Sequence, residues 1–358
     1  MNRGHVYPML QALLAALLFG ASAPIAKLFL GDMEPIPLAA FLYLGSGIGL
    51  LGIQLYKRIN QSSMESEAQI KRTDFGWLAG AVFAGGVAAP IVMLFSLRNT
   101  SAATASLLLN FESVATTLIA VLLFKETISR RALWAVFSIT LASILLSINL
   151  NDEWGLSIGA LGILAACFLW GVDNNFTRNI SAKDPLMIVT IKGLGAGSFS
   201  LILALILGNH LPNLGIILGA MLLGSLSYGL SIVFFIFAMR GLGAARASAL
   251  FGTAPLAGMI LSFLFFRDDF NLMLIVAVPL TIIGAILLMN EDHEHGHVHE
   301  KNYHEHAHDH NDSHHDHHLE GELCVQAHSH LHEHDYVEHS HHHMPDLHHR
   351  HIHSAQNK

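Results

Sequence analysis

Three polar groups lie where a membrane-length apolar chain should carry none. Glu112 stands near the middle of the apolar run 101–124, beside Asn110. An ionisable side chain at such a depth is costly and marks an ion or substrate pathway by default. A carboxyl there can load and release a proton, as a proton-coupled carrier requires; it can equally lock two helices by an ion pair or hydrogen bond. Lys192 falls eight residues into the run 185–208 and calls for an acidic partner. Glu112 is the acid expected. A cargo carboxylate or cation that split the pair would couple binding to opening. The alternative is a lysine whose stem snorkels to an interface. Asp173, Asn174 and Asn175 cover most of one helical turn near the end of run 156–178. Either they offer oxygen to a polar cargo or cation, or the helix ends there and the asparagines cap it.

A different chemistry fills the C-terminus. Of 26 histidines, 24 lie between His293 and His353. They alternate with other residues at His293, His295, His297 and His299, at His304, His306, His308 and His310, and at His328, His330, His332 and His334. In an extended chain, residues two apart share a face. Imidazole suits zinc, nickel, cobalt and copper, and interleaved acids add charge and oxygen ligands. Uptake would compete with imidazole protonation. This spacing selects no single metal and names no fixed site. Metal on the tail is either a buffer or sensor for the adjoining body, or incidental to a low-complexity acidic segment. No cofactor is required by any motif.

The elements that must hold these groups follow from composition. The chain has 358 residues, 52% hydrophobic and 13% charged, where soluble domains carry roughly 25% charged residues. Residues 1–290 have a net charge of +3 and residues 291–358 a net charge of −11, so two physically different segments are joined. Crossing hydrocarbon takes about 20 apolar residues. Ten such spans are expected: 8–30, 35–56, 75–97, 101–124, 130–149, 156–178, 185–208, 214–239, 244–266 and 271–289. Pro90, Pro255 and Pro279 fall within spans and free backbone carbonyls, as hinges or as plain kinks. Small-residue packing signals occur at Gly155/Gly159 and Gly215/Gly219. The tail has too few apolar residues for a core and is expected to be disordered. Cys167 and Cys324 make no disulfide framework.

Arg3, the apolar run Met9–Phe19 and Ala21-Ser22-Ala23 outline a signal peptide. Pro24 would follow the cut, however, and the apolar run continues to Leu30, so this is read as a retained first helix. With the N-terminus inside, twelve basic residues fall on the cytoplasmic side, including Arg3, Arg58, Arg72, Arg131, Lys183 and Arg246. Only Arg98 and Arg267 fall outside. Lys27 and Arg178 read as interface anchors. This bias places both termini in the cytoplasm of a multi-pass inner-membrane protein.

The body repeats itself. Residues 97–127 align without a gap on 239–269: Arg98 with Arg240, Ala105-Ser106 with Ala247-Ser248, and Phe124-Lys125-Glu126 with Phe266-Arg267-Asp268. A weaker echo pairs Leu18-Phe19-Gly20 with Leu169-Trp170-Gly171, and Lys27 with Arg178. Five spans per unit turn the second copy upside down, an arrangement that secondary transporters use, with the substrate site at the repeat interface. Phe19-Gly20 with Lys27, the small-residue run Ser101–Glu126, and residues 244–288 with Ala254-Pro255 and Gly284 resemble the EamA family of the drug/metabolite transporter superfamily. The resemblance covers about 1–290. It implies an all-α membrane protein of ten helices in two inverted five-helix bundles about a central cavity. It also implies export or exchange of small polar metabolites such as amino acids or nucleosides. Arg267-Asp268 in place of Lys-Glu, and the histidine tail, depart from the family pattern.

The expected organisation is a first repeat over 1–150, a second over 151–290 and a tail over 291–358. Three functions are weighed: a secondary transporter of a small polar metabolite with a regulatory metal-binding tail, a carrier of divalent nickel, cobalt or zinc or its chelate, and a non-transporting metal sensor. The sparse body (Glu112, Asp173, Cys167) favours organic cargo; the tail pushes toward metal. No nucleophile–base arrangement or phosphate loop points to an enzyme, and nothing points to nucleic acid. The partners expected are the lipid bilayer, a small-molecule substrate and metal ions; a homodimer stays open.

Overall fold

A computed structural model describes residues 3–59, 70–124, 130–149, 155–180, 183–242, 250–266 and 272–289, with the backbone of four tail segments. Seven runs among the described residues are long and apolar enough to cross a membrane, and three shorter apolar helices, Leu133–Leu146, Ala254–Phe266 and Met273–Gly284, fall where the fifth, ninth and tenth spans are expected. Helix is the form these segments must take, because hydrocarbon offers no partner for backbone N–H or C=O groups. Large side chains such as Leu10, Leu122, Ile158, Ile202 and Ile206 are exposed, while the core is rich in fully buried alanine. That apolar rind over a small-residue core suits a lipid-facing bundle.

The first span is α1 (Arg3–Gly20) and α2 (Ser22–Phe29), kinked at Ala21. Pro24 explains the kink, since it gives no N–H to the carbonyl four residues back. The second is α3 (Pro35–Ile59). The third is α4 (Phe75–Ala81), a π-helical segment Val82–Ala88, and α5 (Ala89–Leu97). The fourth is broken: α6 (Ala102–Leu108), capped by Ser101, stops at Leu109-Asn110 and restarts as α7 (Phe111–Phe124). Then come α8 (Arg130–Ser147), α9 (Ile158–Asn179) and α10 (Pro185–Ile206). The eighth is α11 (Leu214–Gly224), a second π-helical segment Ser225–Leu230, and α12 (Ser231–Leu242). α13 (Ala254–Phe266) and α14 (Leu272–Met289) complete the body. β1 (Ile148–Asn149) and β2 (Gly155–Leu156) pair between the halves of the chain.

The irregularities recur with the repeat. The π segment of the third span returns in the eighth, and the break at Leu109-Asn110 returns at Gly252-Thr253. The packing is reciprocal too. Spans two and seven, five and ten, and four and nine pack on each other. Span one packs on eight and nine as span six packs on three and four. The halves therefore interlock rather than sit as two separate bundles, each covering the apolar faces of the other.

The crossing of α3 and α10 fixes the pseudo-twofold. A Cβ on Gly47 would come within 2.6 Å of the Leu194 nitrogen, and one on Gly197 within 2.5 Å of the Leu44 nitrogen. Leu44-Gly45-x-Gly47 and Leu194-Gly195-x-Gly197 are the same motif, 150 residues apart. Likewise a Cβ on Gly171 would meet Thr116, and one on Gly20 would meet Gly258, the residue aligned with Thr116. Gly197→Val should thus destabilise the protein by about 1–3 kcal/mol or more, since overpacking a close crossing moves backbone; thermal unfolding in detergent measures it.

In the tail, β3 (His293–His299) pairs with β6 (Val337–His343), and β4 (Asn302–His308) with β5 (His328–His334), both antiparallel. The sequence leads one to expect a disordered free tail; the structure draws these four segments as paired strands. The alternation that puts histidines two apart is also the period of a strand. The rest of the tail, His310 included, lies outside the described residues, as do Lys125, Glu126, Arg267 and Asp268 of the matched helix ends.

Candidate functional site

The polar groups gather where the two halves cross. Lys192 on α10 donates to both oxygens of Asp173 on α9, at 2.6 and 2.7 Å, and to Thr177 at 3.3 Å. Thr177 in turn donates to Asp173 at 2.9 Å. The Asp173 side chain is 7% exposed and that of Lys192 18%, so this ion pair is largely closed off. The expected partner of Lys192 was Glu112, and the structure assigns it Asp173 instead. The reason is depth: Asp173 lies six residues before the end of α9, and Lys192 seven after the start of α10. Two consecutive helices joined by a short turn bring such residues level.

Asp173 sits against a backbone made to receive it. A Cβ on Gly85 would lie 1.9 Å from its Oδ2, so only glycine fits in the π segment there. In the π pattern the carbonyl of Gly85 should pair with the N–H of residue 90. Residue 90 is proline and has none. Tyr43 on α3 and Trp170 on α9 donate to that carbonyl instead, at 2.8 and 3.0 Å. Pro90 thus acts through the carbonyl it strands. The rings of Tyr43 and Tyr228 lie 5.5 Å apart, and Phe19 packs on Tyr228 and Phe251 at 6.1 and 5.3 Å.

Glu112 occupies the first turn of α7, just past the broken part of the fourth span. Asn174 donates to Glu112 Oε1 at 2.8 Å and to Thr116 Oγ1 at 3.1 Å. Asn175 donates to the backbone carbonyls of Gly171 and Thr116 at 2.8 and 3.1 Å, tying α9 to α7. Asn110 is buried at the break and donates to the carbonyl of Leu107, at 3.4 Å. Glu112 is half-buried and Asn174 exposed, whereas Asp173 and Asn175 are buried. The cluster therefore has a dry ionic side and an accessible side, and Glu112 lies within electrostatic reach of Asp173, Lys192 and Tyr228. α9 runs on to Asn179, so the three polar residues do not cap a helix end.

The charges break the pseudo-symmetry. By the sequence offsets, Glu112 aligns with Ala254, Asp173 with Ser22 and Lys192 with Leu42. On the symmetry-related side, Phe19 of the first repeat packs on Tyr228 and Phe251 of the second. Sequence reasoning missed Tyr43, Thr116, Trp170 and Gly85. Only the pairing of Gly85 with Pro90 five residues on carried a signal, and that signal requires knowing the π geometry.

Lys27 does more than anchor. Its Nζ donates to the carbonyl of Thr100 and lies 5.9 Å from the Phe266 ring, joining span one, the turn between spans three and four, and span nine at one end. At the opposite end Lys183 approaches Asp74 at 4.0 Å. The side chain of Arg178 lies outside the described residues. Among the described residues no group of three His, Cys, Asp or Glu side chains gathers to hold a metal. The side chains of the tail histidines are not among them.

The profile of the EamA-like transporter family matches residues 6–148 and again 157–290. A curated relative, named an uncharacterized transporter of Methanothermobacter thermautotrophicus, is 30% identical over 298 residues, 79% of this chain and 86% of its own. A solved crystal structure superposes with a TM-score of 0.57 at 17% identity, over 79% of this chain and 96% of the other. That likeness bears on the fold alone.

Proposed function

Since this chain belongs to the EamA-like transporter family, and is thereby a multi-pass membrane transporter, we propose that it exports or exchanges a small polar organic solute by alternating access. The observation that carries the reading is the polar cluster of Glu112, Asn174, Thr116, Asp173 and Lys192 at the crossing of the two halves. A membrane protein keeps such groups where they do work. Glu112, on the accessible side, is the proton-coupling group. Asn174 and Thr116 hold its carboxyl and present the neighbouring face to cargo. The Lys192–Asp173 pair supplies the fixed charges against which an ionic group on the cargo is read. The two broken helices and the two π segments are the elements that rearrange, because their backbones are already short of regular hydrogen bonds.

An organic cargo suits the body. Transition metals need several imidazole, thiolate or carboxylate ligands together, and no such group occurs among the described residues. The second reading, carriage of divalent nickel, cobalt or zinc, is favoured by the tail alone. In the proposed topology both termini are cytoplasmic in the inner membrane, with ten spans, and the tail binds metal there to regulate the body. Reconstituted vesicles test this. Residues 1–290 should carry organic solute at rates within about twofold of the full chain when metal is absent, since the cluster is untouched. Metal flux that vanishes with the tail would favour the second reading; absence of any flux would favour a sensor.

A further inference from the structure

We propose that divalent metal folds the tail, because the register of its two strand ladders sets histidine opposite histidine in six pairs. In the outer ladder the Cα partners are His293 with His343, His295 with His341 and His297 with His339. In the inner ladder they are His304 with His332, His306 with His330 and His308 with His328. Within each ladder these pairs recur at every second position, so all six residues of a ladder share one face. Directly opposed residues in an antiparallel pair have Cβ atoms about 4.5–5.5 Å apart. Two successive pairs therefore set four histidines at neighbouring positions of one face, and imidazole is a donor that suits zinc, copper or nickel.

A slip of one residue would set histidine against Glu333, Leu331 or Ser329 in the inner ladder, so this register is a specific choice. Two residues separate β3 from β4 and two separate β5 from β6, so the inner ladder continues the outer one's count. Nothing in the composition favours such a ribbon without a ligand. Two-stranded ladders are marginal in water, and the paired positions hold few apolar residues. A chain segment of 19 residues must also be closed between His308 and His328. Metal ligation across the strands supplies the missing stabilisation, as ligand binding does in small metal-dependent folds. The inference rests on the reading of the tail as metal-binding and says how it binds: as two clamped ladders, one behind the other, that shorten the tail.

The full chain in lipid nanodiscs, with Cys324→Ser, tests this; Cys167 is buried and stays. Spin labels are placed on Ala307→Cys and Ser329→Cys, which are Cα partners between the paired histidines. A control pair, Ala307→Cys and Glu333→Cys, is offset by four residues. Zinc should convert a broad distance distribution into a short, narrow one for the matched pair, with the control, displaced along the strand, longer by about 9 Å. His306→Ala with His330→Ala should raise the zinc concentration needed by tenfold or more. Zinc bound with the distribution unchanged overturns the inference and leaves a metal-binding tail; zinc not bound overturns both. A distance already short and narrow without metal, or equal in the two pairs, overturns the inference as well.

Discussion

Glu112→Gln is expected to bring proton-driven accumulation of solute to background while the protein folds and packs as before. Glutamine has the shape of the protonated carboxyl and still accepts from Asn174, now 2.8 Å from Glu112 Oε1. It cannot release a proton, so a carrier that must do so once per cycle is held at one stage. Exchange of labelled for unlabelled solute, which needs only reorientation with cargo bound, should survive. Accumulation in proteoliposomes under an imposed pH gradient and counterflow at equal pH separate the two. The wild-type rate should depend on pH and the mutant's counterflow should not. Wild-type accumulation with a wild-type pH profile would remove Glu112 from the coupling step and leave it as a helix-to-helix tie.

Lys192→Met should cost about 3–5 kcal/mol, because it leaves the carboxylate of Asp173 in a closed site without its counter-charge. Among the described residues Asp173 would keep the hydroxyl of Thr177 as a donor, around a side chain 7% exposed. Asp173→Asn alone should be similarly harmful by stranding the ammonium. The double variant, Lys192→Met with Asp173→Asn, should melt near or above the wild type, since replacing both members of a buried pair is often neutral or stabilising by about 1–4 kcal/mol. It should nonetheless fail to transport. That split between a recovered melting temperature and lost flux marks the pair as functional. Single variants that melt with the wild type would mean the pair contributes nothing to the folded state.

Much of this could be read in advance because lipid imposes simple rules. Membrane-length runs and the two-fold repeat follow from hydropathy and from Phe124-Lys125-Glu126 matching Phe266-Arg267-Asp268. Glu112, Asp173 and Lys192 stood out because charge in an apolar run is rare. Their partnership did not, since pairing depends on depth in the membrane and on which helix faces which. Asp173 and Lys192 are level across a single turn, a relation that counting inward from residues 180–184 would have exposed. The nearness of Tyr43 and Trp170 to Gly85 was hidden for another reason. It depends on a π segment that strands one carbonyl, and hydropathy is blind to backbone hydrogen-bond pattern.

Sequence alone determined that this chain is a membrane transporter body with an imidazole-rich tail: apolar length must be buried in lipid, and period-two histidine needs no fold to be recognised. Tertiary structure decided how the halves interlock, that Lys192 belongs to Asp173 and Glu112 to Asn174, and that Glu112 of the first repeat meets Asp173 and Lys192 of the second while their symmetry-related positions are uncharged. Helix propensity and hydrophobicity act along the chain and survive in its order. Contacts between groups 60 or more residues apart depend on where close-packed glycines such as Gly47 and Gly197 allow helices to cross, and that is settled only when every element packs at once.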